Sequence, residues 1–298
     1  MLIDTNRLRH FLDVVDHGGF SAAARAVFVS QPALSLAVKE LERELGTALF
    51  VRVGRRVHLT PAGTALVGPA RQALLDLETG RAAVAAVAGV MAGSLGVCSL
   101  PTLAADPMAG LVGRFRRRHP GVRIELAAPE DDRELFELVE GGGTCELGLT
   151  DARHVPGTLA SVDFGSQSLA YIHPPGTGPG GPDGPDGGGT PFVAAPEGTS
   201  TRRLLDEQLA ATGVAAVLAV VTAQREAIVP LVLAGAGSAL VPEAVARSAE
   251  RFGAVVSQPE PPAVRRLALV HRPGVLSPAA ARFIELAAPE DDAPATYG

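Results

Sequence analysis

GGFSAAARAVFVSQPALSLAVKELERELG, residues 18–46, decides how the N-terminal part of this chain folds. Ser21 can cap a short helix whose Ala22, Ala23 and Ala26 are small enough for a neighbouring helix to approach closely. Ser30 can cap a second helix, with Pro32 in its first turn and Leu34, Val38, Leu41 and Leu45 spaced to face inward. Gly46 supplies the left-handed residue that ends it. Upstream, Thr5 can cap a helix carrying the stripe Leu8, Phe11, Leu12 and Val15, closed by His17-Gly18-Gly19. Downstream, the apolar runs Leu49–Arg52 and Val57–Leu59 bracket Gly54-Arg55-Arg56, which reads as a hairpin with a basic tip. Two helices joined by a tight turn and followed by such a hairpin make a winged helix-turn-helix.

Thr60-Pro61 opens a long Ala/Leu/Val-rich helical pattern over 61–88, which would span about 42 Å. Gly68-Pro69 would kink it or break it in two. Its apolar positions, among them Leu66, Ala70, Ala73, Leu74, Leu77 and Val84, have no evident partner on so small a head, so the pattern predicts packing against a second copy. From Gly93 onward, strand-like and helix-like runs alternate. Strands are expected near 95–98, 122–126, 146–150, 161–164, 168–172, 191–194, 214–221, 238–241 and 265–270, with helices at about 106–119, 131–140, 200–211, 224–234, 242–251 and 278–287. This alternation predicts an α/β fold with largely parallel sheets. Residues 174–190 are almost all Gly, Pro and Asp and read as a surface loop.

Composition excludes several classes. Hydrophobic residues are 47% and charged residues 19% of the 298, which is enough for substantial cores. Two cysteines, Cys98 and Cys145, cannot build a disulfide scaffold or a four-cysteine zinc site; both sit in apolar strands and read as packing residues. The seven histidines show no ligand spacing, so neither a metal nor another cofactor is expected. The uncharged stretch 82–105 is long enough to cross a membrane, but Gly89, Gly93, Gly96 and Pro101 interrupt it. The N-terminus lacks the pattern of a signal peptide, so a soluble cytoplasmic protein is expected. No phosphate-binding Gly-Lys-Ser/Thr loop or Gly-x-Ser-x-Gly elbow appears, and no enzyme is expected. The net charge of -6 is uneven: residues 1–90 carry ten cationic and eight acidic side chains, while the remainder carries sixteen and twenty-four. An acidic body with a mildly basic head fits a nucleic-acid reader joined to a sensing module.

The run Leu8-Arg9-His10-Phe11, Gly19-Phe20-Ser21-Ala22-Ala23-Ala24, Ser30-Gln31-Pro32-Ala33-Leu34-Ser35, Leu41-Glu42, Leu45-Gly46, Leu49-Phe50, Arg52 and Leu59-Thr60-Pro61-Ala62-Gly63 resembles the LysR-type transcriptional regulators nearly position for position. The resemblance is tight over 7–63 and continues to about 290 in organisation more than in motif. It implies an α+β multidomain chain: a winged helix-turn-helix at 1–60, a linker and dimerisation helix at 61–90, and an effector domain at 91–298 resembling periplasmic binding proteins. That domain would have one lobe at about 93–162 plus 266–290 and another at about 163–265. Implied partners are promoter double-stranded DNA, a small-molecule effector bound between the lobes, further copies of the chain as a homodimer or homotetramer, and RNA polymerase. The competing reading is an α/β small-molecule-binding protein or enzyme with an incidental helical head; it lacks a signal peptide and a catalytic set.

In such regulators the third helix enters the major groove with its N-terminal residues on base edges. Here these are Ser30, Gln31, Pro32 and Ser35, with Lys39 a turn later on phosphate. Gln31 suits bidentate pairing with adenine and Pro32 an apolar contact with a thymine methyl. Leu36 departs from the polar residue many relatives carry and removes a hydrogen-bonding position. Arg52, Arg55 and Arg56 alone would read as a solvated turn; at the tip of a wing they suit phosphate or minor-groove contact, and Ser21 at a helix start suits a phosphate. For the effector, Ser99 and Thr102 flank the end of a strand, Thr199, Ser200 and Thr201 open a helix, and Gln224 opens another. Helix starts of this kind favour a small anion, most simply a carboxylate.

Overall fold

The computed structural model describes residues 3–54, 56–87, 91–141, 145–177, 191–213 and 216–287. The chain forms two compact units, Met1–Met91 with Glu140–Thr144, and Ala92–Val139 with Cys145–Gly298.

The first unit contains α1 (Thr5–Asp16), α2 (Phe20–Ala26), α3 (Gln31–Leu45), a hairpin of β1 (Phe50–Val53) and β2 (Arg56–Leu59), and α4 (Pro61–Val87). Ser30 caps α3 by accepting from the Ala33 amide at 3.3 Å, and Gly46 ends it in the left-handed region. Two caps differ from expectation. Asp4, not Thr5, caps α1, because its carboxylate accepts from the Asn6 amide at 2.8 Å. Gly19 occupies the cap position of α2, which places Ser21 inside the first turn without a capping bond. Phe11, Leu34, Leu41 and Leu49 are fully buried, and Phe50 carries the hairpin into the core with its ring 5.4 Å from both Phe11 and Phe20. The Glu42 carboxylate accepts from the amides of Leu49 and Phe50 at 2.8 and 3.2 Å, fixing where the hairpin leaves α3.

Gly68-Pro69 does not break α4, which is continuous with Pro69 inside it. The expectation that its apolar positions lack a partner needs correction over its first half. Ala70 is buried, and Leu66, Ala73 and Leu74 pack with it against Leu8, Phe11 and Leu12 of α1. Leu77 and Val84 remain exposed, at 48% and 75%.

In the second unit the order is β3 (Gly93–Ser99), α5 (Pro101–Leu103), α6 (Ala109–Arg118), β4 (Val122–Ala127), α7 (Asp132–Glu140), β5 (Leu147–Asp151), β6 (Ala160–His173), β7 (Pro191–Ala194), α8 (Ser200–Thr212), β8 (Val217–Val221), α9 (Ile228–Leu233), β9 (Ala239–Pro242), α10 (Glu243–Glu250), β10 (Val255–Ser257), β11 (Val264–His271) and α11 (Pro278–Ala287). One lobe is the sheet β4-β3-β5-β11 with the first part of β6; the other joins the rest of β6 to β9 and β10, with β7-β8 attached through a bridge from Phe192 to Ser238.

The two strands expected at 161–164 and 168–172 are one, since β6 serves both lobes. It pairs with β11 up to Ser168 and with β9 from Leu169. The sheets are also less parallel than expected. β3 runs parallel to β4 and β5, but β6 and β11 are antiparallel to each other, and β11 is antiparallel to β5. Returning strands that close a lobe need no crossover helix, so alternation with helices does not reveal their direction. The expected loop at 174–190 lies outside the described residues from 178 onward. Among the described residues no single helix is long and apolar enough to cross a membrane.

Candidate functional site

The N-terminal unit presents a depression of about 540 Å³ between the start of α2, the start of α3 and the hairpin. Its wall includes Ser21, Gln31, Arg52 and Arg56, side chains from three separate stretches of sequence, together with Arg25 from α2. Sequence reading passed over Arg25; its signal is a cation one helical turn after Ser21. Arg55 lies outside the described residues. Ser30, Pro32 and Lys39 are exposed along the first turns of α3, and Gln31 donates to the half-buried Ser35 hydroxyl at 3.4 Å.

The electrostatics separate this face from the rest of the unit. Arg7 pairs with Glu40 and Glu44, Arg71 with Asp16, and Arg9 and Arg81 with Glu78. Arg25, Lys39, Arg52 and Arg56, with Arg43 at the end of α3, make no ion pair among the described residues. Cations left exposed and uncompensated around a helix start suit a polyanion.

In the second unit a cavity of about 560 Å³ opens between the lobes. Pro101, Thr102, Ala128 and Glu130 come from one lobe, and Thr201, Arg225, Ile228, Val229, Val241 and Val245 are among those from the other. Of the six residues expected to hold an effector, Thr102 and Thr201 line it. Ser99, Thr199, Ser200 and Gln224 are not on its wall. Ser99 is fully buried and donates to the Leu100 carbonyl at 3.2 Å. Thr199 is the cap of α8: its hydroxyl accepts from the Arg202 amide at 3.4 Å and donates to the Pro196 carbonyl at 2.8 Å. Both are committed to the backbone, which is the common fate of hydroxyls at element ends. Ser200 is buried in the first turn of α8, and Gln224 is exposed ahead of the turn Arg225–Ala227.

Ion pairs cross from lobe to lobe. Arg203 pairs with Asp132, which also accepts from the Thr150 hydroxyl at 2.7 Å. Arg153 reaches Glu207 at 3.1 Å while holding the buried Asp151. Burial works to raise the Asp151 carboxyl, but hydrogen bonds and charge from Arg153 prevail and hold it below the usual carboxylate range. Asp132, at the end of the acidic run Glu130-Asp131-Asp132, thus ties the two lobes together. At the junction Arg265 is fully buried and donates to Gln167 and, at 3.4 Å, to Thr102. Burial lowers its guanidinium to about 10, against the opposing pull of Asp151, Asp132 and Asp106. Cys98 and Cys145 are both buried. Hydrogen bonding with Cys145 and burial push the Cys98 thiol far above its ordinary value, which disfavours the reactive thiolate.

Residues 5–64 match the family model of bacterial regulatory helix-turn-helix proteins of the lysR family, and residues 88–291 match the LysR substrate binding domain. The SDS degradation transcriptional activation protein of a Pseudomonas species is 35% identical over 52% of this chain and 55% of its own length; the chain thus spans about half of that relative. The transcriptional activator IlvY of Salmonella typhimurium is 30% identical over 82% of this chain and 83% of its own. The solved structure of full-length CbnR with its target DNA superposes with a TM-score of 0.66 at 21% identity, covering 95% of this chain and 98% of that one. The chain belongs to the LysR family of bacterial regulatory helix-turn-helix proteins.

Proposed function

We propose that this protein is a sequence-specific DNA-binding transcriptional regulator, acting in the cytoplasm and not as an enzyme, whose C-terminal unit responds to a small molecule held between its lobes. The observation that carries the reading is the group of cations that make no ion pair among the described residues, Arg25, Lys39, Arg52 and Arg56, around the exposed start of α3, in a unit whose other described arginines are largely ion-paired. Gln31, with Ser30, Pro32 and Ser35, reads base edges, while Ser21, Lys39 and the hairpin arginines Arg52, Arg55 and Arg56 hold the backbone. Support also comes from CbnR, a protein of the same fold solved with its target DNA, and from IlvY, a transcriptional activator.

In this reading 1–60 is the DNA-binding head, 61–90 the linker and 91–298 the effector domain. Two heads bind spaced half-sites through dimerisation along α4, as a dimer or as a tetramer of two dimers, and RNA polymerase is the partner of the DNA-bound form. The effector is a small anion, most simply a carboxylate, for which Thr102 and Thr201 supply hydroxyls on opposite walls of the cavity. Its binding changes how the lobes close and thereby the spacing of the heads. A gel shift with the DNA upstream of the protein's own gene tests the reading. Retarded complexes that resist excess unrelated DNA and weaken steeply with salt are expected; no retention at low salt would overturn it.

A further inference from the structure

We propose that Arg225 anchors the anionic group of the effector and that Glu130 stands in for that group in the effector-free protein, so that a small amphipathic monocarboxylate binds by displacing Glu130. This rests on the reading of the inter-lobe cavity as the sensing site. The Arg225 side chain is 13% exposed and lies on the cavity wall. Its Nη1 donates to the Ala223 carbonyl at 2.8 Å, which fixes the guanidinium plane. Among the described residues its buried Nε has no partner, and Nη2 has only the Glu130 carboxylate at 3.8 Å, beyond hydrogen-bond length. Nε and Nη2 form one edge of the guanidinium, the edge that grips a carboxylate through two parallel hydrogen bonds. An arginine left with that edge unfilled is poised for a better-fitting carboxylate than the one nearby.

Glu130 has the complementary properties. Its side chain is 66% exposed, so releasing it to water costs little. Its backbone amide is tied to Glu134 at 2.8 Å, so the side chain can swing away without moving the chain. On the wall that faces Arg225, the Thr102 hydroxyl accepts from the buried Arg265, which leaves its own hydrogen to be donated. The cavity thus offers an acceptor-bearing ligand donors from both lobes. Ile228, Val229, Val241 and Val245 provide an apolar wall for its body, and about 560 Å³ fits a small molecule. With Glu130 displaced, the remaining acid on the wall, Glu226, disfavours a second negative group, hence a monocarboxylate.

Calorimetry on the full chain with isovalerate and benzoate, against isovaleramide and benzamide, tests this. Glu130→Gln, an exposed substitution that leaves packing intact, should bind the carboxylates at least about threefold more tightly than wild type and the amides no differently. Arg225→Gln should weaken the carboxylates by about tenfold or more, with Arg225→Lys in between. Equal carboxylate affinity in wild type and Glu130→Gln, wild-type affinity in Arg225→Gln, or no saturable binding of either carboxylate to Glu130→Gln would each overturn the proposal. Val241→Trp, which fills the cavity, separates the two levels. Carboxylates that bind it like wild type lie outside the cavity, and the sensing-site reading fails with them. If they lose binding to Val241→Trp but not to Arg225→Gln, the cavity stands and only the anchor is lost.

Discussion

Gly63, in the first turn of α4, lies directly against the Leu49 carbonyl: a Cβ there would sit 2.1 Å from that oxygen and 2.8 Å from Leu59 Cδ2. The same carbonyl accepts from the Thr60 amide at 2.9 Å, and the Thr60 hydroxyl accepts from the Gly63 amide at 3.0 Å. Gly63 is thus where hairpin and long helix close on each other. Gly63→Ala should destabilise the N-terminal unit by about 1–3 kcal/mol through forced displacement of backbone. Chemical denaturation followed by circular dichroism should show the loss, and an unchanged midpoint would contradict the contact.

Base and phosphate contacts should separate in DNA binding. Gln31→Ala should cost about 1–3 kcal/mol on the preferred site and relax preference at one base pair. Arg52→Ala or Arg56→Ala should weaken all sequences alike and reduce the slope of log affinity against log salt by about one. Fluorescence anisotropy on a set of single-base variants at several salt concentrations distinguishes them. An unaltered sequence preference in Gln31→Ala removes that residue from readout.

Phe28 holds φ at +56° while 95% exposed, in the turn between α2 and α3. An aromatic residue in the left-handed region is strained and here has no packing to offset the strain. Phe28→Asn, which puts a residue tolerant of the left-handed region there, should raise thermal stability by about 0.5–1 kcal/mol. A simultaneous fall in DNA affinity would mean that the ring is kept to touch DNA, whereas lower stability would refute the strain argument.

Self-association should depend on the outer half of α4. Among the described side chains Leu77 and Val84 are its exposed large apolar residues, whereas Leu74 packs within the unit. Leu77→Glu with Val84→Glu should shift the full chain toward monomer in sedimentation and abolish cooperative occupancy of paired half-sites. A dimer of undiminished stability would exclude this half of the helix as the interface.

Acid should loosen the second lobe through His173. The ring is buried between the hydroxyls of Ser238 and Ser257, each at 2.8 Å, and burial lowers its pKa below 6.5. The unfolded chain then takes up a proton near pH 6.5 that the folded chain refuses, so stability is full above that pH and falls as pH drops toward the lowered value. The slope contributed is up to about 1.4 kcal/mol per pH unit. Melting curves at decreasing pH should flatten in His173→Asn, despite its lower stability; an equal slope in that variant would refute the role.

Local chemistry was enough to read the helices of the head, though not the caps of α1 and α2. Ser30, Pro32 and Gly46 mark the ends of α3 because capping and left-handed geometry depend on few neighbouring residues, and the stripe Leu34, Val38 and Leu41 is its buried face; in α1 Val14 is buried more deeply than the expected Val15, and in α2 Ala24 is buried while the expected Ala26 is exposed. What spacing along the chain cannot express is a choice among distant partners. That Leu74 packs on α1 while Leu77 stays exposed depends on where one helix meets another. That β6 is one strand shared by two sheets depends on β9 and β11, which lie about 70 and 100 residues away in sequence. The cleft shows the same division. Hydroxyls at strand ends and helix starts were legible, but what each one meets is settled by which partner the fold brings near: Thr199 donates to the Pro196 carbonyl, whereas Thr102 accepts from Arg265 on the cavity wall. Arg225 and Glu130 lie 95 positions apart in an unremarkable helix start and an acidic run. Only the packing of two lobes sets one beside the other, because ionic and hydrogen-bonded geometry is decided in space after the apolar cores have closed.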